Sequence, residues 1–301
     1  MPEFSPPPSE QRSPTSHVYF SQRLRLHYVD WGNGSAPHML LVHGVQDHCR
    51  SWDWLAAQYA DEFHVVAPDL RGHGDSEWVR GSSYHHIDYV YDIDQLCRQR
   101  ELAPTVIVSH SMGGTLAALY AGIYPESVAA LVIIEGVGLW PGWGAELAAH
   151  ERIRQWVDNT RALAGRQPRR YPTLDAALAR MQQVNGHLNA EQVAHLTVHG
   201  SNRNEDGTYS WKYDNYTHAW PAFRIPEQET IELWQRISAP VLLINAAEGF
   251  AHRIGQDGTL AHFQRAEMIT IEAAGHWAHH DQFDAVSAAI RGFLVKQGLT
   301  G

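Results

Sequence analysis

Cysteine, basic charge and long apolar runs are all scarce in this chain of 301 residues. Two cysteines, Cys49 and Cys97, are too few for a disulfide framework, so we expect a reducing, cytoplasmic location. The 23 Lys and Arg against 33 Asp and Glu give a net charge of −10, which argues against a nucleic-acid partner. The best candidate for a membrane span, residues 128–140, is interrupted by Glu135 and is shorter than the roughly 20 residues a bilayer requires. The sequence therefore predicts a soluble globular protein without a membrane partner.

Short runs rich in Val, Ile and Leu alternate with helical segments along most of the chain. This alternation is typical of a parallel sheet covered by helices on both faces. Strands are predicted at 39–42, 63–67, 106–108, 128–134, 241–245 and 268–271, after a hairpin at 17–31. Helices are predicted at 83–101, 112–124, 258–264 and 285–296.

The alternation stops between residues 137 and 236, where only helical segments are predicted and six of the 11 tryptophans lie. We interpret this segment as a helical subdomain inserted into a core domain formed by residues 17–136 and 237–301. Residues 1–16 are rich in proline and serine, without the charged start and apolar stretch of a signal peptide, and are predicted to be a disordered tail.

The sharpest local pattern is Val-Ile-Val-Ser-His-Ser-Met-Gly-Gly at residues 106–114. An apolar strand leads to Ser111, a helix follows at once, and the residues two before and two after it are small. These features predict a nucleophile elbow, in which a strained turn projects the serine hydroxyl above the sheet. Ser109 stands where the usual pattern has Gly, a mild deviation because serine is also small.

Two further loops extend the pattern. His43-Gly44 follows the strand at 39–42, and Asp-Leu-Arg-Gly-His-Gly-Asp-Ser follows the next strand, at residues 69–76. In this order and spacing the chain resembles the α/β-hydrolase superfamily, in particular its capped serine hydrolase-like and esterase members. The resemblance implies a mostly parallel central sheet flanked by helices, with the insertion as a helical cap. It also implies an oxyanion hole made by the backbone N–H groups of Val45 and Met112. We expect the Arg71 loop to be structural, with Arg71 bonded to loop carbonyls.

The resemblance also implies a histidine base after the last strand, and His276 fits that position. His279 and His280 compete with it by proximity. Together with Asp281 these histidines could also be read as a metal cluster, but no second ligand group stands at a recognisable spacing elsewhere. We therefore predict neither a metal nor any other cofactor.

The acidic member of the triad has two candidates. Many members of the superfamily carry it in the loop after the strand equivalent to residues 241–244, but Gly249 holds that position here, with Glu248 one residue away. Glu135 ends the strand at 128–134, a position that some branches use. Its strand and that of Ser111 end at the same edge of a parallel sheet, so we favour Glu135 over Glu248.

The identity of the nucleophile selects the reaction. Dehalogenases and epoxide hydrolases of this fold use Asp at the elbow, whereas this chain has Ser111, and neither Val45 nor Met112 has the side-chain donor that would hold a halide. We therefore predict a serine hydrolase acting on a small ester-like substrate with an apolar or aromatic group, as a monomer or homodimer. A C–C bond hydrolase or lactonase with the same triad, and a catalytically silent ligand-binding protein, remain the alternatives.

Overall fold

The computed structural model describes residues 13–81, 84–139, 147–219 and 221–300. Within these ranges the chain forms the strands Thr15–Ser21 (β1), Leu24–Asp30 (β2), His38–Val42 (β3), His64–Pro68 (β4), Thr105–His110 (β5), Val128–Ile134 (β6), Ser201–Arg203 (β7), Tyr209–Trp211 (β8), Val241–Ala246 (β9) and Ala266–Ile271 (β10). The α-helices are Asp53–Tyr59 (α1), His86–Gln99 (α2), Met112–Ile123 (α3), Ala149–Leu163 (α4), Leu174–Val184 (α5), Ala190–Gly200 (α6), Glu227–Arg236 (α7), Ala278–Asp281 (α8) and Phe283–Lys296 (α9).

Eight strands form one sheet in the order β1-β2-β4-β3-β5-β6-β9-β10. The hairpin β1–β2 joins antiparallel to β4, and all other neighbours pair in parallel. The predicted mostly parallel sheet flanked by helices is therefore confirmed. Because β5 and β6 are adjacent, the residues that follow them, Ser111 and Glu135, lie at the same edge of the sheet.

Helices cover both faces, which explains why the central strands are continuously apolar. In β5, Val106 and Val108 pack in the cluster that includes α1 and α9, whereas Ile107 packs in the cluster that includes α2, α3 and α7. Trp234 of α7 belongs to the second cluster, where it stacks on Phe263 with ring centroids 5.2 Å apart.

The described part of the segment between β6 and α7 contains the helices α4, α5 and α6, in line with the predicted helical segments, but it also contains the hairpin β7–β8, which was not predicted. Trp140, Trp143 and Trp220 of the predicted tryptophan-rich cap lie outside the described residues. The helix predicted at 258–264 is wrong, because the chain there makes only a single 3₁₀ turn, Thr259–His262.

At the N-terminus, strand β1 begins at Thr15, two residues inside the predicted tail, and residues 1–12 of that tail lie outside the described part of the chain. Both cysteines are buried free thiols. No helix in the described ranges is long and apolar enough to cross a bilayer.

Candidate active site

Ser111 occupies a sharp turn between β5 and α3. Its backbone has φ +52° and ψ −121°, a strained conformation for a residue other than glycine. The turn is held by the Ser111 N–H, which donates to the Ile134 carbonyl at 3.0 Å. A Cβ on Gly113 would lie 2.4 Å from the Val42 carbonyl oxygen, so α3 can approach β3 only because this residue is glycine. The structure therefore forms the elbow that the sequence predicts.

His276 lies in the loop between β10 and α8 and reaches the serine directly. Its Nε2 is 2.8 Å from Ser111 Oγ, and its Nδ1 is 3.3 Å from Glu135 Oε2. The other two candidate histidines point elsewhere: the His280 Nε2 lies 3.0 Å from Ser51 Oγ, and the His279 ring stacks on Trp52. The structure thus brings Ser111, His276 and Glu135 into one chain of contacts.

The Glu135 carboxylate is completely buried at the end of β6. Oε1 accepts hydrogen bonds from the Ala246 N–H at 2.6 Å and from the Arg253 guanidinium at 2.5 Å. Arg253 is itself buried and also donates to the Ala246 carbonyl. A buried carboxylate needs a compensating charge and hydrogen bonds, and these contacts provide both while leaving Oε2 to face His276.

Sequence reasoning missed Arg253. It lies 118 residues from Glu135 along the chain, in the loop after β9. Nothing in the neighbouring sequence distinguishes it from an arginine on the surface. The only available signal was general: a buried carboxylate at a strand end requires a cationic partner somewhere.

The other acid candidate, Glu248, is exposed. At the neighbouring Gly249, a Cβ would lie 2.1 Å from Glu135 Oε2. The position that carries the acid in many members of the superfamily is therefore packed directly against the Glu135 carboxylate. A side chain at residue 249 and the observed Glu135 geometry exclude each other sterically.

The backbone donors proposed for the oxyanion hole flank the serine. Met112 is the first residue of α3, whose initial N–H groups have no partner within the helix and lie at its positive end. Val45 follows Gly44, at which a Cβ would come within 3.0 Å of Ser111 Cβ, so this loop approaches the elbow closely. The two predicted donors thus stand at the start of α3 and in the loop after β3, which approaches Ser111 closely.

His43 fixes the loop that carries Gly44 and Val45. Its Nε2 accepts a hydrogen bond from the Leu70 N–H, and its Nδ1 lies 2.6 Å from the Gly44 carbonyl. Burial lowers the pKa of His43 to about 3, so the ring is neutral and can serve as acceptor on one side and donor on the other. His43 therefore links two of the motif loops and is structural.

The prediction that Arg71 bonds loop carbonyls is wrong. Arg71 instead forms a buried, bidentate pair with Asp92 of α2, through Nε at 2.6 Å and Nη2 at 2.7 Å. A carboxylate on the neighbouring helix satisfies the guanidinium more strongly than neutral carbonyls can. Its role remains structural, because it ties the 69–76 loop to α2.

A family model of the α/β-hydrolase fold matches residues 37–283, most of the chain. This chain belongs to the α/β-hydrolase family. The α/β hydrolase is 25% identical to a serine hydrolase-like protein of Danio rerio over 89% of this chain and 84% of the relative. It is also 27% identical to an esterase of Mycobacterium tuberculosis, over 93% and 90% of the two chains.

Solved structures agree with the family assignment at the level of the fold. The thioesterase domain from the curacin biosynthetic pathway superimposes with a TM-score of 0.81 at 22% identity, covering 93% of this α/β hydrolase and 99% of that domain. The predicted α/β-hydrolase fold is therefore confirmed, and hydrolase activity of the α/β-hydrolase type is the activity that this membership indicates.

Proposed function

We propose that this α/β hydrolase is a serine hydrolase that cleaves carboxylic esters through an acyl-enzyme. The observation that carries the proposal is the 2.8 Å contact between His276 Nε2 and Ser111 Oγ, with Glu135 on the opposite ring nitrogen. A serine, a base within hydrogen-bond reach and a carboxylate that orients the base form the arrangement required for nucleophilic acyl transfer.

In the proposed reaction, Ser111 Oγ attacks the ester carbonyl carbon while His276 Nε2 takes the hydroxyl proton. Glu135 holds the Nδ1–H of His276 and stabilises the imidazolium that forms. The N–H groups of Val45 and Met112 bind the developing oxyanion. When the tetrahedral intermediate collapses, the alcohol leaves with the proton from His276, and a water molecule then repeats the sequence to release the acid and regenerate Ser111.

The nucleophile distinguishes this proposal from epoxide hydrolysis. The chain is 32% identical to epoxide hydrolase 3 of Mus musculus, but only over 43% of its length. Epoxide hydrolases of this fold use an aspartate at the elbow to open the ring, and Ser111 replaces it here. A serine with a neighbouring histidine base suits an acyl group instead.

A cavity of about 410 Å³ beside the elbow supports an apolar or aromatic substrate group. Ser111 and His276 do not line it, but Trp277 does, and its ring centroid lies 5.6 Å from that of His276. Its apolar and aromatic lining residues include Tyr171, Met181, Leu188, Leu196, Trp211 and Trp277. We infer that the cavity receives the larger half of the ester under the cap.

Two measurements test the proposal. A fluorophosphonate probe, followed by intact-mass analysis, should label wild type once and Ser111→Ala not at all. With p-nitrophenyl esters of increasing chain length, Ser111→Ala should lose at least about 10³-fold in kcat/KM while its thermal melt stays unchanged. If the probe labels the protein but only lactones or ring-cleavage dienoates are turned over, then the protein is not an esterase. It would instead be a lactonase or a C–C bond hydrolase. No adduct at all would favour a silent ligand-binding protein.

A further inference from the structure

A second group of chemically reactive side chains lies next to the elbow and takes no part in the proposed reaction. It comprises Asp47 in the loop after Val45, His110 at the end of β5 and His279 in α8. One ligand atom from each residue lies within 4.8 Å of the others. Both histidines are almost completely buried. Three residues from three separate elements therefore converge on one point.

Each residue of this group has at least one unpaired polar atom, although Asp47 Oδ1 accepts a hydrogen bond from the His48 N–H at 2.8 Å. Among the described residues, Asp47 Oδ2, His110 Nδ1 and both ring nitrogens of His279 are buried without a hydrogen-bond partner. Buried polar groups are nearly always satisfied, so several unpaired atoms in one place require an explanation. A shared ligand would provide one.

The tautomer of His110 can be assigned from its other contact. Its Nε2 lies 2.7 Å from the backbone carbonyl of His276, and a carbonyl can only accept a hydrogen bond. Nε2 therefore carries the proton, and the unpaired Nδ1 keeps a bare lone pair that can bind a ligand. Histidines that bind metals have this arrangement, with the second ring nitrogen donating to a carbonyl or carboxylate.

Two other His-containing groups in the described ranges differ, because their carboxylates are already paired within the protein. In the group of His27, Cys49 and Asp69, the carboxylate already accepts from the His27 ring at 2.7 Å and from the Cys49 N–H. In the group of Asp53, His195 and His199, Asp53 is paired with Arg50. Among the three such groups in the described part of the chain, the one at Asp47 alone contains buried polar atoms without a partner.

We propose that Asp47, His110 and His279 form a binding site for a divalent transition-metal ion such as Zn²⁺ or Co²⁺. Two imidazole nitrogens and one carboxylate oxygen are a donor set that these ions accept, with water completing the shell. Tetrahedral coordination places ligand atoms roughly 3.3 Å apart, so small side-chain rotations would close the observed spacing. Asp47 also lines the 410 Å³ cavity, which gives an ion a route from solvent.

The metal cluster considered from the sequence comprised only His279 and its neighbours in the chain, His276, His280 and Asp281. The structure instead joins His279 to residues 169 and 232 positions earlier, so no sequence spacing could have indicated this set. The site is distinct from the Ser111–His276–Glu135 chain, because it shares none of those three side chains. The proposal therefore does not depend on the proposed esterase activity.

Cobalt titration tests the site without reference to turnover. Co²⁺ added to the full-length chain should give visible d–d absorption that saturates at one ion per chain and disappears when Zn²⁺ is added. The Ser111→Ala variant should give the same titration. His279→Gln and Asp47→Asn should each weaken Co²⁺ binding at least tenfold. The matched control, His199→Gln, removes a histidine from the Asp53 group and should bind Co²⁺ as wild type does.

Absence of saturable Co²⁺ absorption in wild type would overturn the proposal. It would also be overturned by unchanged binding in both His279→Gln and Asp47→Asn, or by loss of binding in His199→Gln. Thermal melts must accompany each titration. Asp47 lies in a partly exposed loop, so Asp47→Asn keeps the test valid even if the buried His279→Gln fails to fold.

Discussion

Glu135 and Glu248 lie near the same edge of the sheet, but only Glu135 is buried and contacts His276. The triad carboxylate acts by holding the histidine tautomer and stabilising the imidazolium, so its charge matters in the transition state more than in substrate binding. We expect Glu135→Gln to lower kcat on p-nitrophenyl esters by about 10²- to 10⁴-fold, the range for replacing a triad carboxylate by its amide. KM should stay nearly unchanged.

The control is Glu248→Gln, which should change kcat at most several-fold. Thermal melts of both variants are needed, because loss of a buried carboxylate could lower activity by loosening the fold. A dead Glu248→Gln beside an active, stable Glu135→Gln would contradict the assignment of the acid.

The buried pair of Glu135 and Arg253 makes a prediction about stability. Arg253→Met leaves the Glu135 carboxylate buried without its cation, which should lower the free energy of unfolding by about 3 kcal/mol. Combining Arg253→Met with Glu135→Gln removes the uncompensated charge, so the double variant should be more stable than the sum of the single effects implies. Urea unfolding of the four proteins in the cycle measures this coupling.

An exposed ion pair provides the control for that cycle. Arg161 pairs with Asp158 on the surface of α4, where water screens the charges. Arg161→Met should not measurably change unfolding. If Arg253→Met were equally silent, the guanidinium would not be stabilising Glu135.

Residues whose role depends on a partner far away in the chain cannot be found from the sequence. Ser111 and His276 could be found because each stands at a fixed place relative to a strand or helix end. Arg253 could not, because its position is defined only by a partner on another strand. The same holds for Asp47 and His110, whose proximity to His279 depends on the folded sheet.

At the elbow, helix α3 packs against the end of strand β3 with almost no space between their backbones at Gly113. An alanine at position 113 would place its Cβ 2.4 Å from the Val42 carbonyl oxygen and 2.5 Å from that of His43. Backbone atoms cannot move aside as a side chain can, so Gly113→Ala should cost 1–3 kcal/mol or more, about the range for overpacking. Denaturant unfolding gives the value, and ester turnover should fall with it because Ser111 would shift.

Gly292 of α9 is the matched control, since a Cβ there meets nothing within 4 Å. Gly292→Ala should stabilise the chain by about 0.5–1 kcal/mol through helix propensity. Equal effects of the two substitutions would show that the β3–α3 contact does not require glycine.

Element prediction from sequence succeeded where burial produces a clear pattern. The apolar runs of β3, β5, β6 and β9 are continuous because both faces of the sheet are covered, and they were placed to within a residue or two. The hairpin β7–β8 was missed because strands of three residues are too short to show alternation. The 3₁₀ turn at 259–262 was predicted as a longer helix because its apolar residues fit either structure.

For the molecule as a whole, buried neutral histidines predict acid sensitivity. Burial lowers the pKa of His43 to about 3 and that of His73 to about 4, against about 6.5 in an unfolded chain. Between pH 6.5 and 4 the unfolded chain therefore binds protons that the folded chain does not. Stability should fall as the pH decreases through this window.

Urea unfolding at pH 7, 6 and 5 measures the effect, and the slope should correspond to uptake of at least one proton on unfolding at pH 5. His73→Gln should reduce that slope, whereas substitution of the exposed His17 by Gln should not. A free energy of unfolding that is constant from pH 7 to 5 would contradict the prediction.

The adjacency of β5 and β6 has a consequence for how the proposed site is assembled when the chain folds. The proposed nucleophile and acid, Ser111 and Glu135, are separated by only one helix and one strand, so residues 105–135 form a single β-α-β unit that carries both. His276 is the one member contributed from a distant part of the chain. This unit sets the position of Ser111 relative to Glu135, so only His276 and Arg253 must be brought to it from later parts of the chain.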